Sequence, residues 1–192
     1  MREFSIIAVS LINLFILTRY IYLIIKSRIQ PSLAMWVFFT LAVGMSLATY
    51  LKSGEFALSD NILNSADLVM VSMVALTILL KGDRVSRFNS FDLVLLLLVI
   101  LIFIFWIFTM EHTISNILIQ LILVIAYIPV IRRMLAARKN TEPFSVWIAL
   151  MIAPVFSLIS SQGELASVYA FRAIACTGLL LILMLRIELR NR

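Results

Sequence analysis

Phe91-Asp92-Leu93-Val94-Leu95-Leu96-Leu97-Leu98-Val99-Ile100-Leu101-Ile102-Phe103-Ile104-Phe105-Trp106-Ile107-Phe108-Thr109-Met110 is the stretch on which the reading of the fold turns. From Leu93 to Phe108 its only polar side-chain group is the indole N–H of Trp106. A run of about 20 such residues is what a helix needs to cross a ~30 Å hydrocarbon layer. Nothing like it recurs in the chain. The segments on either side resemble each other, and each holds three shorter apolar runs. The unpaired run therefore reads as a linker that crosses the bilayer once, so that both flanking segments point the same way.

Composition fits that reading. The 192 residues are 63% hydrophobic and 14% charged, and the mean hydropathy is +1.10. A water-soluble domain of this size has a largely polar surface, which such a chain cannot supply. The expected class is an all-α membrane protein, because lipid offers no partner for a free backbone N–H or C=O. The apolar–polar alternation of a barrel strand is missing. Seven spans are expected, at about Phe4–Ile25, Leu33–Leu51, Ile62–Leu80, Phe91–Met110, Thr113–Ile131, Phe144–Ser160 and Leu165–Leu185. Connections are short, so residues 1–192 form one membrane domain, with repeat one at about 4–81, the linker at 91–110 and repeat two at 113–185. The N-terminal run is too long for a signal-peptide core and lacks a small-residue cleavage pattern, so it is expected to stay as the first span. The single Cys176 lies in the last span and has no partner for an internal disulfide.

The net charge of +6 is distributed as a topology signal. Lys26 and Arg28 follow the first span, and Lys81, Arg84 and Arg87 the third. Arg132, Arg133, Arg138 and Lys139 follow the fifth, and Arg186, Arg190 and Arg192 close the chain. The opposite loops hold only Arg2 and Lys52, while Arg19 and Arg172 lie inside spans. The positive-inside rule then puts the N-terminus outside and the C-terminus in the cytoplasm. Nucleic acid is not expected as a partner; attraction of these loops to anionic headgroups is a weaker second reading.

The two flanking segments share landmarks in the same order. Leu11-Ile12-Asn13-Leu14 precedes Tyr20 in the first span, and Leu118-Ile119-Gln120-Leu121 precedes Tyr127 in the fifth. Pro31 opens the second span ahead of Trp36, and Pro143 opens the sixth ahead of Trp147. Proline suits a first helical turn, whose N–H has no helical partner. Gly44 and Pro154 then mark a flexible or kinked point at similar depth. Ser53-Gly54-Glu55-Phe56-Ala57 is matched by Gln162-Gly163-Glu164-Leu165-Ala166. A duplicated three-helix unit follows. With one linker span between them, the copies are parallel rather than inverted.

A Pro…Trp opening on the second helix of each triplet, in a three-plus-one-plus-three layout, resembles the SWEET and PQ-loop superfamily. Within it the likeness is to small bacterial seven-span proteins of uncertain function, in the inner membrane. It covers about Arg19 to Leu185. The proline–glutamine pair is inverted at Gln30-Pro31 and reads Glu142-Pro143 in the second half, and Tyr22 stands where Pro129 does in the repeat. The resemblance implies a solute site between the third and seventh helices, on the faces holding Asn64 and Asp67, and Tyr169, Arg172 and Cys176.

Asp67 and Arg172 lie inside helices that begin at the outer face, roughly 8 and 11 Å in at 1.5 Å per residue. Each costs ~2.5–3.5 kcal/mol at membrane depth, so each needs a partner or a wet cavity. Lining a cavity, locking the triplets together and, for Asp67, hydration near the interface all remain open. Asn13 and Gln120 either join helices or meet solute. Trp36 and Trp147 are interface anchors or cavity walls. Arg19 either snorkels towards the cytoplasmic headgroups or pairs with a group such as Glu142. His112 reads as a loop residue, or as a pH sensor.

No lysine lies in the last span to attach retinal, and no His, Cys or carboxylate cluster has metal spacing. No catalytic set is visible, so neither an enzyme nor a cofactor is expected. The expected partners are the lipid bilayer and a small polar solute, and the oligomeric state is open. A SWEET-like transporter or facilitator leads; Asp67 with Arg172 would suit a zwitterionic or hydrogen-bonding solute. A ligand-binding or sorting receptor on the same scaffold, or a non-transporting structural protein, is the alternative.

Overall fold

The computed structural model describes residues 1–29, 33–81, 90–137, 140 and 142–190. The Gln30-Pro31 opening, residues 82–89 with Arg84 and Arg87, and Arg138, Lys139 and Arg192 lie outside them. All regular structure among the described residues is helical: α1 Arg2–Ile25, α2 Leu33–Lys52, a 3₁₀ turn Leu58–Asn61, α3 Ile62–Lys81, α4 Ser90–Thr109, α5 His112–Ile125, α6 Ile128–Ala137, α7 Phe144–Ser157 and α8 Glu164–Arg190. Five stretches are long and apolar enough to cross a membrane: Arg2–Ile25, Leu58–Lys81, Ser90–Thr109, His112–Arg132 and Glu164–Arg190. The protein is thus a helical membrane protein by length and composition.

Two expected spans differ in detail. The fifth is broken into α5 and α6 at Ala126-Tyr127. Proline at position 129 has no N–H for the carbonyl four residues back, which weakens the helical ladder there. Tyr127 N–H turns instead to Val124 O at 3.1 Å. The sixth stops at Ser157 rather than Ser160, giving an α7 of 14 residues, a rise of about 21 Å. Ser157 O accepts from the backbone N–H groups of Ser160 and Ser161 at 3.0 and 2.8 Å and from their hydroxyls at 3.1 and 2.9 Å. Serines that gather on one carbonyl in this way compete with the helical ladder and end it. At Gly44 and Pro154 both helices continue unbroken.

α1 closes with Arg28 N–H on Leu23 O at 2.9 Å and Ser27 at φ 52°. Lys81, from the end of α3, places its ammonium on Ser27 Oγ at 2.8 Å and on the carbonyls of Ile24 and Ile25. A cation at the negative end of a helix is where the macrodipole favours it.

α3 packs on α1 and α2, and α8 on α7 and α5. α1 also packs on α7, and α2 on α5, while α4 leans on α5 and α2. Only Asp92, Leu95 and Val99 of α4 are buried. Phe91, Ile102 and Trp106 are half-buried against the core, and most of the other apolar residues of α4 face outward, which suits lipid and not water.

A polar contact ties α4 to α5: Trp106 Nε1 donates to His112 Nδ1 at 2.6 Å. Replacing His112 with phenylalanine keeps the 5.9 Å ring contact but removes the acceptor. Stability against thermal unfolding should fall by about 1 kcal/mol, with a change in Trp106 fluorescence as its local reporter.

Candidate functional site

Asp67 from α3 and Arg172 from α8 reach the same central space, but they do not touch. Among the described residues they make no direct ion pair, and Tyr169 serves both. Its hydroxyl donates to Asp67 Oδ2 at 2.9 Å, and the Arg172 guanidinium lies over its ring, 4.5 Å from the centroid. The four-residue core of this arrangement is completed by Gln120, whose Oε1 accepts from Arg172 Nε at 2.8 Å. Tyr169 and Arg172 are three residues apart on α8, so they share one helical face.

Gln120 is seated in turn. Its Nε2 donates to Ser46 Oγ at 2.8 Å and to Asn116 Oδ1 at 3.1 Å. Asn116 Nδ2 bonds Ser46 O and Thr49 Oγ1 at 2.7 and 2.9 Å. Asn64 meets Ser46 Oγ at 2.9 Å. The orientation that satisfies both ends of its amide has the oxygen towards Ser46 and Nδ2 on Val43 O at 3.2 Å. A closed polar circuit results, running α3, α2, α5, α8 and back to α3 through Asn64, Ser46, Gln120, Arg172, Tyr169 and Asp67.

Against the Asp67, Tyr169 and Arg172 side of this circuit lies a cavity of about 470 Å³. Asp67, Arg172, Tyr169, Trp36 and Trp147 line it. Asn64, Asn13 and Gln120 do not: the first and last belong to the supporting circuit, and Asn13 makes a local bond to Val9 O at 3.3 Å. Trp36 is 9% exposed and sits 5.1 Å from the Tyr20 ring. Trp147 sits 6.0 Å from the Tyr127 ring, and its Nε1 donates to Glu142 at 3.3 Å. Each repeated tryptophan thus meets the repeated tyrosine of its own segment. Their recurrence in the same order, Tyr20 before Trp36 and Tyr127 before Trp147, was the signal that could have paired them. Arg19 lies over the Tyr22 ring at 5.7 Å.

Two polar atoms of the lining are shielded from bulk water and have no hydrogen-bond partner: Asp67 Oδ1 and Trp36 Nε1. An unmet buried polar group is costly. Here both belong to one cavity.

At one end the cavity reaches Ser27, Arg28 and Glu142, where α1 finishes and α7 begins. Beyond its Leu63 and Pro154 walls the other end is bound shut. Arg2 pairs with Asp60, and Ser5 Oγ bonds Phe156 O at 2.5 Å and Ser160 Oγ at 2.9 Å. Tyr50 donates its hydroxyl to Gln162 O, and Gln162 N–H bonds Asp60 O, both at 2.9 Å. Phe56 stacks on Tyr50 at 4.8 Å and presses on Gly163, where a Cβ would meet the phenyl ring at 2.7 Å and where φ is +77°, a conformation glycine adopts freely. Sequence reading passed over this layer, because short polar residues at helix ends look like ordinary caps.

Among the described residues no group of His, Cys, Asp and Glu side chains is placed to hold a metal. Comparison with known proteins brings no match: no family model, curated protein or solved structure is similar enough to count.

Proposed function

We propose that the protein is a SWEET-like transporter or facilitator of a small polar solute. The observation that carries this is the central cavity, reaching one end of the bundle and bound shut at the other. In this reading seven spans form two parallel triplets joined by α4. The N-terminus lies outside and the C-terminus inside, in a bacterial inner membrane. The helix contacts support the duplication: exchanging α1, α2 and α3 with α5–α6, α7 and α8 turns the α1–α7 contact into the α2–α5 contact. That reciprocity is what a two-fold relation between copies requires. The basic residues at the cavity's open end make it the cytoplasmic one, so the conformation is inward-facing.

A structural lock would pair Asp67 with Arg172 directly and leave no space between the halves, which is unlike the geometry here. Rocking of the triplets would instead break the polar layer at the outer end and expose the same cavity to the outside. Purified protein in proteoliposomes should take up a small polar solute from a screened panel. Binding to one side without crossing would favour the receptor alternative, and folded protein with neither binding nor flux would sink both.

A further inference from the structure

We infer that the cavity takes a small zwitterion with an apolar or aromatic body, of the amino-acid type. The inference rests on this cavity being the solute site of the transporter proposed above. Asp67 and Arg172 are opposite charges on one lining, and neither has its hydrogen-bonding capacity filled by the other. Tyr169 satisfies Asp67 Oδ2 and leaves Oδ1 unmet. Gln120 takes Arg172 Nε and the Tyr127 hydroxyl takes part of the fork; of the five N–H groups a guanidinium carries, the others remain for a carboxylate, the partner it fits best.

Tyr169 keeps the two charges apart, because one binds its hydroxyl and the other its ring face. A bridging ligand must therefore carry an ammonium and a carboxylate a few ångströms apart. A ligand with one charge completes one partner and strands the other, which costs more than a neutral mismatch.

The rest of the wall decides the body of the ligand. Ile16, Val43, Val71, Leu123, Val146 and Ala153 are aliphatic, and Trp36, Phe39, Tyr127 and Trp147 add flat aromatic surface. A sugar, polar all round, would bury most of its hydroxyls against aliphatic side chains that offer no partner. The volume of about 470 Å³ falls in the ~300–1,000 Å³ range of small-molecule sites. It leaves room for a side chain as large as indole.

The test uses the full chain in proteoliposomes with labelled L-leucine and L-tryptophan. N-acetyl-L-tryptophan, which lacks the ammonium, L-tryptophan methyl ester, which lacks the carboxylate, and D-glucose serve as competitors. Both amino acids should bind, and each capped derivative should compete about tenfold or more weakly, as expected when a buried charge loses its partner. Asp67→Asn should erase the preference over the N-acetyl compound, and Arg172→Gln the preference over the ester. Capped derivatives that compete equally, glucose that binds where amino acids do not, or folded protein that binds neither amino acid would overturn the inference. The wild-type comparison decides the matter even where a variant fails to fold. Flux of glucose alone would leave transport standing and the zwitterion wrong. Binding of L-tryptophan without flux would do the reverse.

Discussion

Asp60→Ala should unlatch the bound end of the bundle and, in the proposed transporter, shift the population of outward-open protein by about ten- to a hundredfold, equivalent to ~1.4–2.7 kcal/mol. Asp60 is 7% exposed and holds three things at once. One carboxylate oxygen pairs with Arg2 on α1. The other accepts from Ala57 N–H at 2.8 Å, fixing the turn that leads into α3. Its backbone carbonyl takes Gln162 N–H from the far segment. Alanine keeps only the last, leaves Ala57 N–H unmet and frees α1 from α3 at that end. The readout is a single cysteine at Ala173, a lining residue, in a Cys176→Ser background. Membrane-impermeant thiol reagent should reach it mainly from the cytoplasmic side in the parent protein, and increasingly from outside in the Asp60 variant. Labelling from outside that does not change would mean that the layer is packing rather than a gate.

The contrast between what hydropathy reveals and what it hides is sharp in this chain. The span α4 is written in sixteen consecutive residues whose transfer into lipid no local alternative can match. Asp67 and Arg172 stand out for the same reason inverted, as charges where lipid makes charge expensive. Their spacing by Tyr169 is another matter. It depends on how α3 and α8 are rotated about their axes, which apolar periodicity constrains weakly when every face is apolar. The break at Ala126-Tyr127 was announced by Pro129, yet hydropathy alone carries a span straight through it. Most misleading was the match of Asn13 with Gln120, because a repeat in sequence does not make the two sites equivalent in load.

Gln120→Leu should cost about 2–3 kcal/mol of stability, whereas Asn13→Leu should be close to neutral. The estimate follows from the bonds each side chain makes. Gln120 is 4% exposed and ties α5 to α2 through Ser46 and to α8 through Arg172. Hydrogen bonds to a charged group contribute about 1.5–3 kcal/mol, and a stranded buried partner adds its desolvation. Asn13, equally buried, bonds only the carbonyl four residues back and leaves Oδ1 unmet, so leucine removes a liability along with a weak contact. Thermal or denaturant unfolding of both variants in the same detergent gives the comparison directly. Losing Gln120 also loosens Arg172, left with Tyr169 and Tyr127, and lets it shift towards Asp67, a collapse that would close the gap a zwitterion is argued to bridge. The Gln120 variant should therefore lose ligand binding more steeply than its stability alone predicts, and Gln120→Glu, which keeps an acceptor for Nε, should recover part of it. Equal stability losses at positions 13 and 120 would show that the two halves carry matched seams, and that the polar circuit holds Arg172 no more firmly than packing does.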